Sequence, residues 1–308
     1  MKVSLLTQVP YRTLPDDFEQ RFESVVTTPW DLVEPGELRA TYRDALDEMM
    51  AAARRGFDGL AMTEHSQSSY DMLPNPSLMA SALAYATEIG NPQTMNFTLE
   101  NGYGFNYLGW FGVKATGRRM FDRFWSIADE LGEPRNPYRI GFIQAVCVGE
   151  TDADAEREYA PHVEYFFRKG LGSIPMERLA LPGGIGLPGL QAILRDPGDF
   201  GVYAQMRTAT YRELADAGCV ICGGPDTVAD QLVEIARDFG IGQLFAMLQI
   251  GSMGRELTLK NIQLFADHVL PHLHEVWADE DWDNHWWPQR LGGTPLPAAD
   301  AAQPLARI

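Results

Sequence analysis

Gly56-Phe57-Asp58-Gly59-Leu60-Ala61-Met62-Thr63-Glu64-His65-Ser66 is the stretch on which the fold turns. A helical pattern leads into it, with Leu38, Tyr42, Ala45, Leu46, Met49 and Met50 at helical spacing and an end at Ala53-Arg54-Arg55. Gly56 is suited to cap that helix, because glycine enters the left-handed region without strain. The apolar run from Phe57 to Met62 then reads as a buried strand. It stops at Thr63-Glu64-His65, where the residues turn polar and titratable. Helix, glycine, buried strand, then acid and imidazole at the strand's C-terminal end is how α/β enzymes present chemistry.

The same alternation extends in both directions. Residues 3–9 read as a first strand, followed by a long loop, 10–36, with Pro10, Pro15, Pro29, Pro35 and Gly36. A loop of that length is often functional. Beyond His65, strands are expected at 105–110, 140–148, 218–222 and 243–250. Helices are expected at 77–88, 95–102, 117–131, 151–169, 204–217, 225–239 and 257–277. Thr151 should cap one of them, with Asp152 and Asp154 in its first turn as the helix dipole prefers. Strand–helix alternation of this kind argues for a parallel sheet or barrel. Six scaffold strands are found where a closed barrel needs eight. The shortfall lies between the helix ending near Glu88 and the strand at Phe105. The expected organisation is one α/β barrel domain over 1–290, a Gly- and Pro-rich excursion at 171–216 and a loose tail at 291–308.

Composition narrows the function. A formal charge of −17 repels phosphate backbones and anionic membranes, which argues against nucleic-acid and membrane partners. No run of 18 apolar residues is present, so no transmembrane helix is expected. The stretch Met1 to Pro10 turns polar too soon for a signal peptide, and three cysteines suit a reducing cytoplasm. Hydrophobic content of 45% supports a sizeable core, and 11% aromatic residues suggest a wide apolar surface or pocket.

Several motifs compete for chemistry. Gly90-Asn91-Pro92-Gln93-Thr94 is a glycine turn opening a helix, where free N–H groups and the dipole would face an anion such as phosphate. An ordinary helix cap has the same form. Gly223-Gly224-Pro225-Asp226-Thr227 is its rival, but Asp226 would repel a phosphate, so it reads as a structural helix start. Gly184 to Gly189 matches G-x-G-x-x-G without a preceding strand and suits a mobile lid better than a nucleotide site. Cys219 and Cys222 form a C-x-x-C inside an apolar strand, which favours burial over redox use. His268 and His272 lack the carboxylate of a zinc motif, so no metal site is expected. The aromatic run Phe105, Tyr107, Trp110 and Phe111 fits a pocket wall and a core equally well. The Trp277, Trp282, Trp286 and Trp287 block suits packing across the barrel or against a partner subunit.

In sequence, Thr63-Glu64-His65-Ser66 followed by Tyr70 and Leu73-Pro74-Asn75-Pro76 resembles the bacterial luciferase-like, flavin-dependent monooxygenases. The likeness continues in Gly90 to Thr94, Asn136-Pro137-Tyr138-Arg139, Gly223 to Thr227, Gln249-Ile250-Gly251-Ser252-Met253, and Leu264-Phe265-Ala266 before Val269-Leu270-Pro271. The resemblance implies a TIM-barrel-like (β/α)8 fold with reduced flavin at the C-terminal face of the strands. It implies a peroxyflavin that oxygenates a small organic substrate, with reduced FMN supplied by a separate reductase and the deazaflavin F420 as the other cofactor of this type. A homo-oligomer is expected.

On that resemblance His65 is the catalytic candidate, managing protons at the flavin with Glu64 beside it. Gly90, Asn91, Gln93 and Thr94 would hold the flavin phosphate, and Gly251 and Ser252 would border the pocket. The chain departs from the family in two places. Ser66 stands where a second histidine is common, and the segment of strands three, four and most of five is missing near residues 88–89. The other reading is a non-catalytic homolog that has lost strands and serves ligand binding or subunit association.

Overall fold

The computed structural model describes residues 1–8, 10–22, 29–62, 99–100, 104–170 and 208–284. Six parallel strands form one sheet: β1 (Lys2–Thr7), β2 (Gly59–Met62), β3 (Phe105–Leu108), β4 (Ile140–Val148), β5 (Val220–Gly223) and β6 (Gln243–Met247). Each was expected from its apolar run. The helices are α1 (Phe18–Arg21), α2 (Pro35–Arg54), α3 (Arg118–Leu131), α4 (Asp152–Tyr165), α5 (Tyr211–Asp216), α6 (Pro225–Phe239), α7 (Arg255–Leu264) and α8 (Leu270–Glu275). A π-helical turn, Phe166–Gly170, extends α4, and another, Phe265–Val269, joins α7 to α8. The fold is parallel α/β of the TIM-barrel type, and among the described residues the sheet has six strands and does not close.

Local chemistry sets the element ends. Gly56 follows α2 at φ +85°, the left-handed turn anticipated for it. The Thr151 hydroxyl accepts from the Asp154 N–H and opens α4. Helix α5 starts at Tyr211 rather than near Ala204, because Thr210 and Glu213 form a reciprocal capping box there. Residues 204–207 lie outside the described residues.

Strand order departs from that of a sequential barrel, in which β5 would lie between β4 and β6. Here β6 pairs directly with β4 along Gly141–Ala145, and β1 joins β6 to β2. The other edge of β4 is shared: β3 takes Ile140–Ile143 and β5 takes Ala145–Val148. Beyond the Ala145–Met247 pair, β4 and β6 part. The buried Asn261 of α7 fills the fork, its Nδ2 donating to the Val146 and Leu248 carbonyls at 2.8 Å each. Its Oδ1 accepts from the Val148 N–H at 2.7 Å.

Both faces of the sheet are covered. Val3, Leu5, Phe142, Val146, Leu244 and Ala246 pack with α3, α6, α7 and α8, through Phe121, Phe124, Leu232 and Leu273. Ala145, Cys147, Val220 and Met247 pack with α1, α4 and α5. The first part of the 10–36 segment is therefore structural. Tyr11, Leu14 and Phe18 are buried in this second cluster, and Arg12 is clasped by Asp44 at 2.7 Å and Glu48 at 3.3 Å on α2. Burial pushes the Glu48 carboxyl up to about 8, against the pull of Arg12.

Asp58, between α2 and β2, ties the start of the sheet to α8. It accepts from Lys2 Nζ at 2.8 Å, from the Val3 N–H at 2.9 Å, and pairs with His274 Nε2 at 3.0 Å. Burial raises its carboxyl, but the bonds from His274, Lys2 and Val3 outweigh that and bring it to about 2. A carboxylate held below its unfolded value stabilises the fold above about pH 4 and loses that contribution as pH falls toward 2. Asp58→Asn should therefore cost about 1–2 kcal/mol at pH 6. In urea unfolding the variant and wild-type curves should draw together below pH 4 and converge only near pH 2. A gap that stays constant with pH would remove Asp58 from this role.

Candidate functional site

In a parallel α/β sheet ligands gather at the C-terminal ends of the strands. Helix α4 crosses three of those ends here. At β5, Asp152 Oδ1 accepts the Gly224 N–H at 2.6 Å, so a side-chain carboxylate already occupies an amide at the start of α6. This agrees with reading Gly223–Thr227 as a helix start. At β4, the Tyr159 hydroxyl donates to the Val148 carbonyl at 3.0 Å. At β6, Gly251 takes φ +54°, and a Cβ there would collide with the His162 carbonyl. Next to it, Ser252 Oγ meets His162 Nδ1 at 2.8 Å. Burial lowers the His162 pKa, which keeps the imidazole neutral at pH 7.

Beside this pair lies an apolar wall. Trp110, just past β3, meets Phe166 edge to face at 5.3 Å, and Phe166 meets Phe167 at 5.2 Å. The backbone of Phe166 in turn abuts Gly251. Gln249 Nε2 donates to the Gly251 carbonyl at 3.1 Å. Trp110, Phe166, Gly251, Gln249, Ser252 and His162 are thus one connected patch. Two buried polar atoms in it have no hydrogen-bond partner among the described residues: Trp110 Nε1, in a residue 5% exposed, and Gln249 Oε1, in a residue 3% exposed. Buried polar groups are nearly always satisfied in folded proteins. An apolar wall carrying one free donor and one free acceptor fits a planar, partly polar ring such as a flavin.

Of the residues proposed from sequence, Gly251 and Ser252 lie in this patch. Glu64, His65, Gly90, Asn91, Gln93 and Thr94 lie outside the described residues, as do Gly184–Gly189, Trp286, Trp287 and the tail. The aromatic run divides. Phe105 stacks on Phe124 and Tyr107 meets Phe121 edge to face, both in the core on the far face, whereas Trp110 belongs to the patch. His162 was missed. It is 90 positions from Ser252, and nothing local marks the pairing.

The other motifs are structural. The Cys147 thiol faces Cys222 across β4 and β5 and is raised well above its usual value, first by burial, while burial pushes Cys219 up to about 12. Such thiols stay protonated and inert. Among the described residues no group of His, Cys, Asp and Glu could hold a metal. No helix among them is long and apolar enough to cross a membrane. The Trp277 indole donates to the Ile241 carbonyl at 2.7 Å, with the Arg237 guanidinium 4.5 Å from its ring centre, which is packing within the subunit. A polar surface cleft between α3 and α6, lined by Asp122, Trp125, Arg135 and Arg237, lies toward the opposite end of the strands.

Residues 89–243, just over half of the chain, match the family model described as luciferase-like monooxygenase. No curated protein matches. Among solved structures, apo-MsnO8 aligns over 87% of this chain and 98% of its own, at 14% identity and a TM-score of 0.52, a likeness of fold. The oxygenating constituent of the 3,6-diketocamphane monooxygenase of Pseudomonas putida, solved with FMN, aligns over 58% of this chain at 20% identity and a TM-score of 0.40. This chain spans 45% of that one's length. The coenzyme F420-dependent tetrahydromethanopterin reductase of Methanopyrus kandleri aligns over 79% of this chain and 65% of its own, at 18% identity and a TM-score of 0.36.

Proposed function

Because the chain belongs to the luciferase-like monooxygenase family, we propose that it is a flavin-dependent monooxygenase that inserts one atom of O2 into a small organic substrate. The match across residues 89–243 carries this reading. Reduced FMN is the proposed cofactor, delivered by a separate reductase, with F420 as the other choice. Bound there, the reduced flavin would supply the electrons that activate oxygen.

The chain's own residues then have defined tasks. The 90–94 turn, with Gly90, Asn91, Gln93 and Thr94, would hold the phosphate at a helix N-terminus. Trp110, Phe166 and Phe167 would give the ring an apolar wall that excludes water. His65, next to Glu64 in the sequence that follows β2, would move protons at the reacting centre. Gly251 and Ser252 would border the pocket, with Ser252 held in place by the neutral His162 imidazole.

One observation favours the second reading, a homolog without catalysis: β6 pairs directly with β4, so the place a sequential barrel gives β5 is closed. Titration of the purified protein with FMN and F420, followed by oxygen uptake with NAD(P)H and a flavin reductase, separates the two. A flavin monooxygenase binds the cofactor and consumes oxygen only when the reductase is present. Binding with no substrate-dependent oxygen uptake would favour the second reading, and no binding of either cofactor would sink the first.

A further inference from the structure

The geometry points to Trp110 and Gln249 as the residues that read the imide edge of the cofactor ring. Gln249 Oε1 would accept from a ring N–H, and Trp110 Nε1 would donate to a ring carbonyl. This assignment rests on the flavin reading above and deepens it. Both atoms are buried, with no partner among the described residues. Both residues follow strands that flank β4, Trp110 after β3 and Gln249 after β6, and both belong to the C-terminal patch. Two strand spacings, about 9–10 Å, separate β3 from β6, and the Phe166–Gly251 contact bridges the interval.

The two free groups are complementary, one donor and one acceptor, yet they are not bonded to each other. An imide presents the same pair in reverse: an N–H between two carbonyls. FMN and F420 share that edge, so the assignment holds for either. The Gln144 Oε1 atom is also unpartnered, but Gly109 closes over it and its Nε2 is spent on the Cys219 carbonyl at 3.2 Å. That atom has no room to meet a ligand.

The test is binding, followed by flavin fluorescence on the full-length apoprotein with FMN, N3-methyl-FMN and F420. Trp110→Phe and Gln249→Met should each weaken FMN about tenfold. N3-methylation should weaken wild-type binding about tenfold and cost Gln249→Met nothing further, because the acceptor it offends is already gone. The N3-methyl comparison on wild type needs no variant to fold. Unchanged FMN affinity in both variants, or equal wild-type affinity for FMN and N3-methyl-FMN, would overturn the assignment and leave the flavin reading standing. Failure of wild type to bind either cofactor would overturn both.

Discussion

Asn261→Leu should lower stability by about 3–5 kcal/mol, the largest single effect expected outside the aromatic core. The two side chains are similar in size, so little volume is lost. What is lost is three hydrogen bonds at the fork of β4 and β6, to the Val146 and Leu248 carbonyls and from the Val148 N–H. Asn261 is fully buried, so water cannot take over. Each orphaned backbone group costs about 1–3 kcal/mol. Urea unfolding would show the loss as a lower midpoint with an unchanged slope. Lys260→Ala, next door on α7 but part of an ion pair with Glu158 at 2.8 Å, should cost about 1 kcal/mol or less. A penalty for Asn261→Leu no larger than that of Lys260→Ala would show that the fork closes without it.

Gly251→Ala should cost about 3 kcal/mol and carry a second signature at a distance in sequence. A left-handed conformation costs an alanine about 1–2 kcal/mol. Its Cβ would also strike the His162 carbonyl and come within 3.1 Å of the Phe166 nitrogen. Those atoms belong to a helix backbone and a π-turn, so they yield only if α4 lifts from the end of β6. Lifting would break the 2.8 Å contact between Ser252 and His162 and hydrate the imidazole. The His162 pKa, lowered by burial, should then rise toward the usual histidine value. Histidine-resolved NMR titration reads that shift, and thermal melting reads the stability. A variant that melts within about 1 °C of wild type and titrates identically would mean that α4 is not held by this contact.

The parts that could be read from sequence are those with local causes. Six apolar runs gave six strands, and Gly56 and Thr151 marked helix ends because left-handed φ and an N-cap hydroxyl are properties of single residues. Gly223–Gly224 was recognisable as a helix start, though not that Asp152 fills its amide, since that bond spans 72 positions. Strand order was out of reach. Whether β5 or β6 takes the second edge of β4 depends on contacts about a hundred residues apart, where no local preference acts. The same holds for the site. Gly251 and Ser252 came from a family likeness, whereas His162 and the free atoms of Trp110 and Gln249 emerged only when α4 was seen to cross the strand ends. Within the aromatic run, nothing in the spacing told that Phe105 and Tyr107 would turn to the core while Trp110 joined the patch.

Strand β4 is bonded along both edges and touches three other strands, whereas β2 is bonded to β1 and leaves Leu60 46% exposed. The two strands should therefore exchange their amide hydrogens on different clocks. The β4 amides can open only when β3, β5 and β6 let go together, so their deuterium uptake reports the unfolding of the whole molecule. Amides on the side of β2 that no described strand pairs with open by local fraying and exchange orders of magnitude sooner. That gradient runs through the very strand whose sequence leads on to Glu64 and His65. The chemistry proposed for this protein would then hang from the strand that loosens first, and anything that pairs with that edge would slow its exchange.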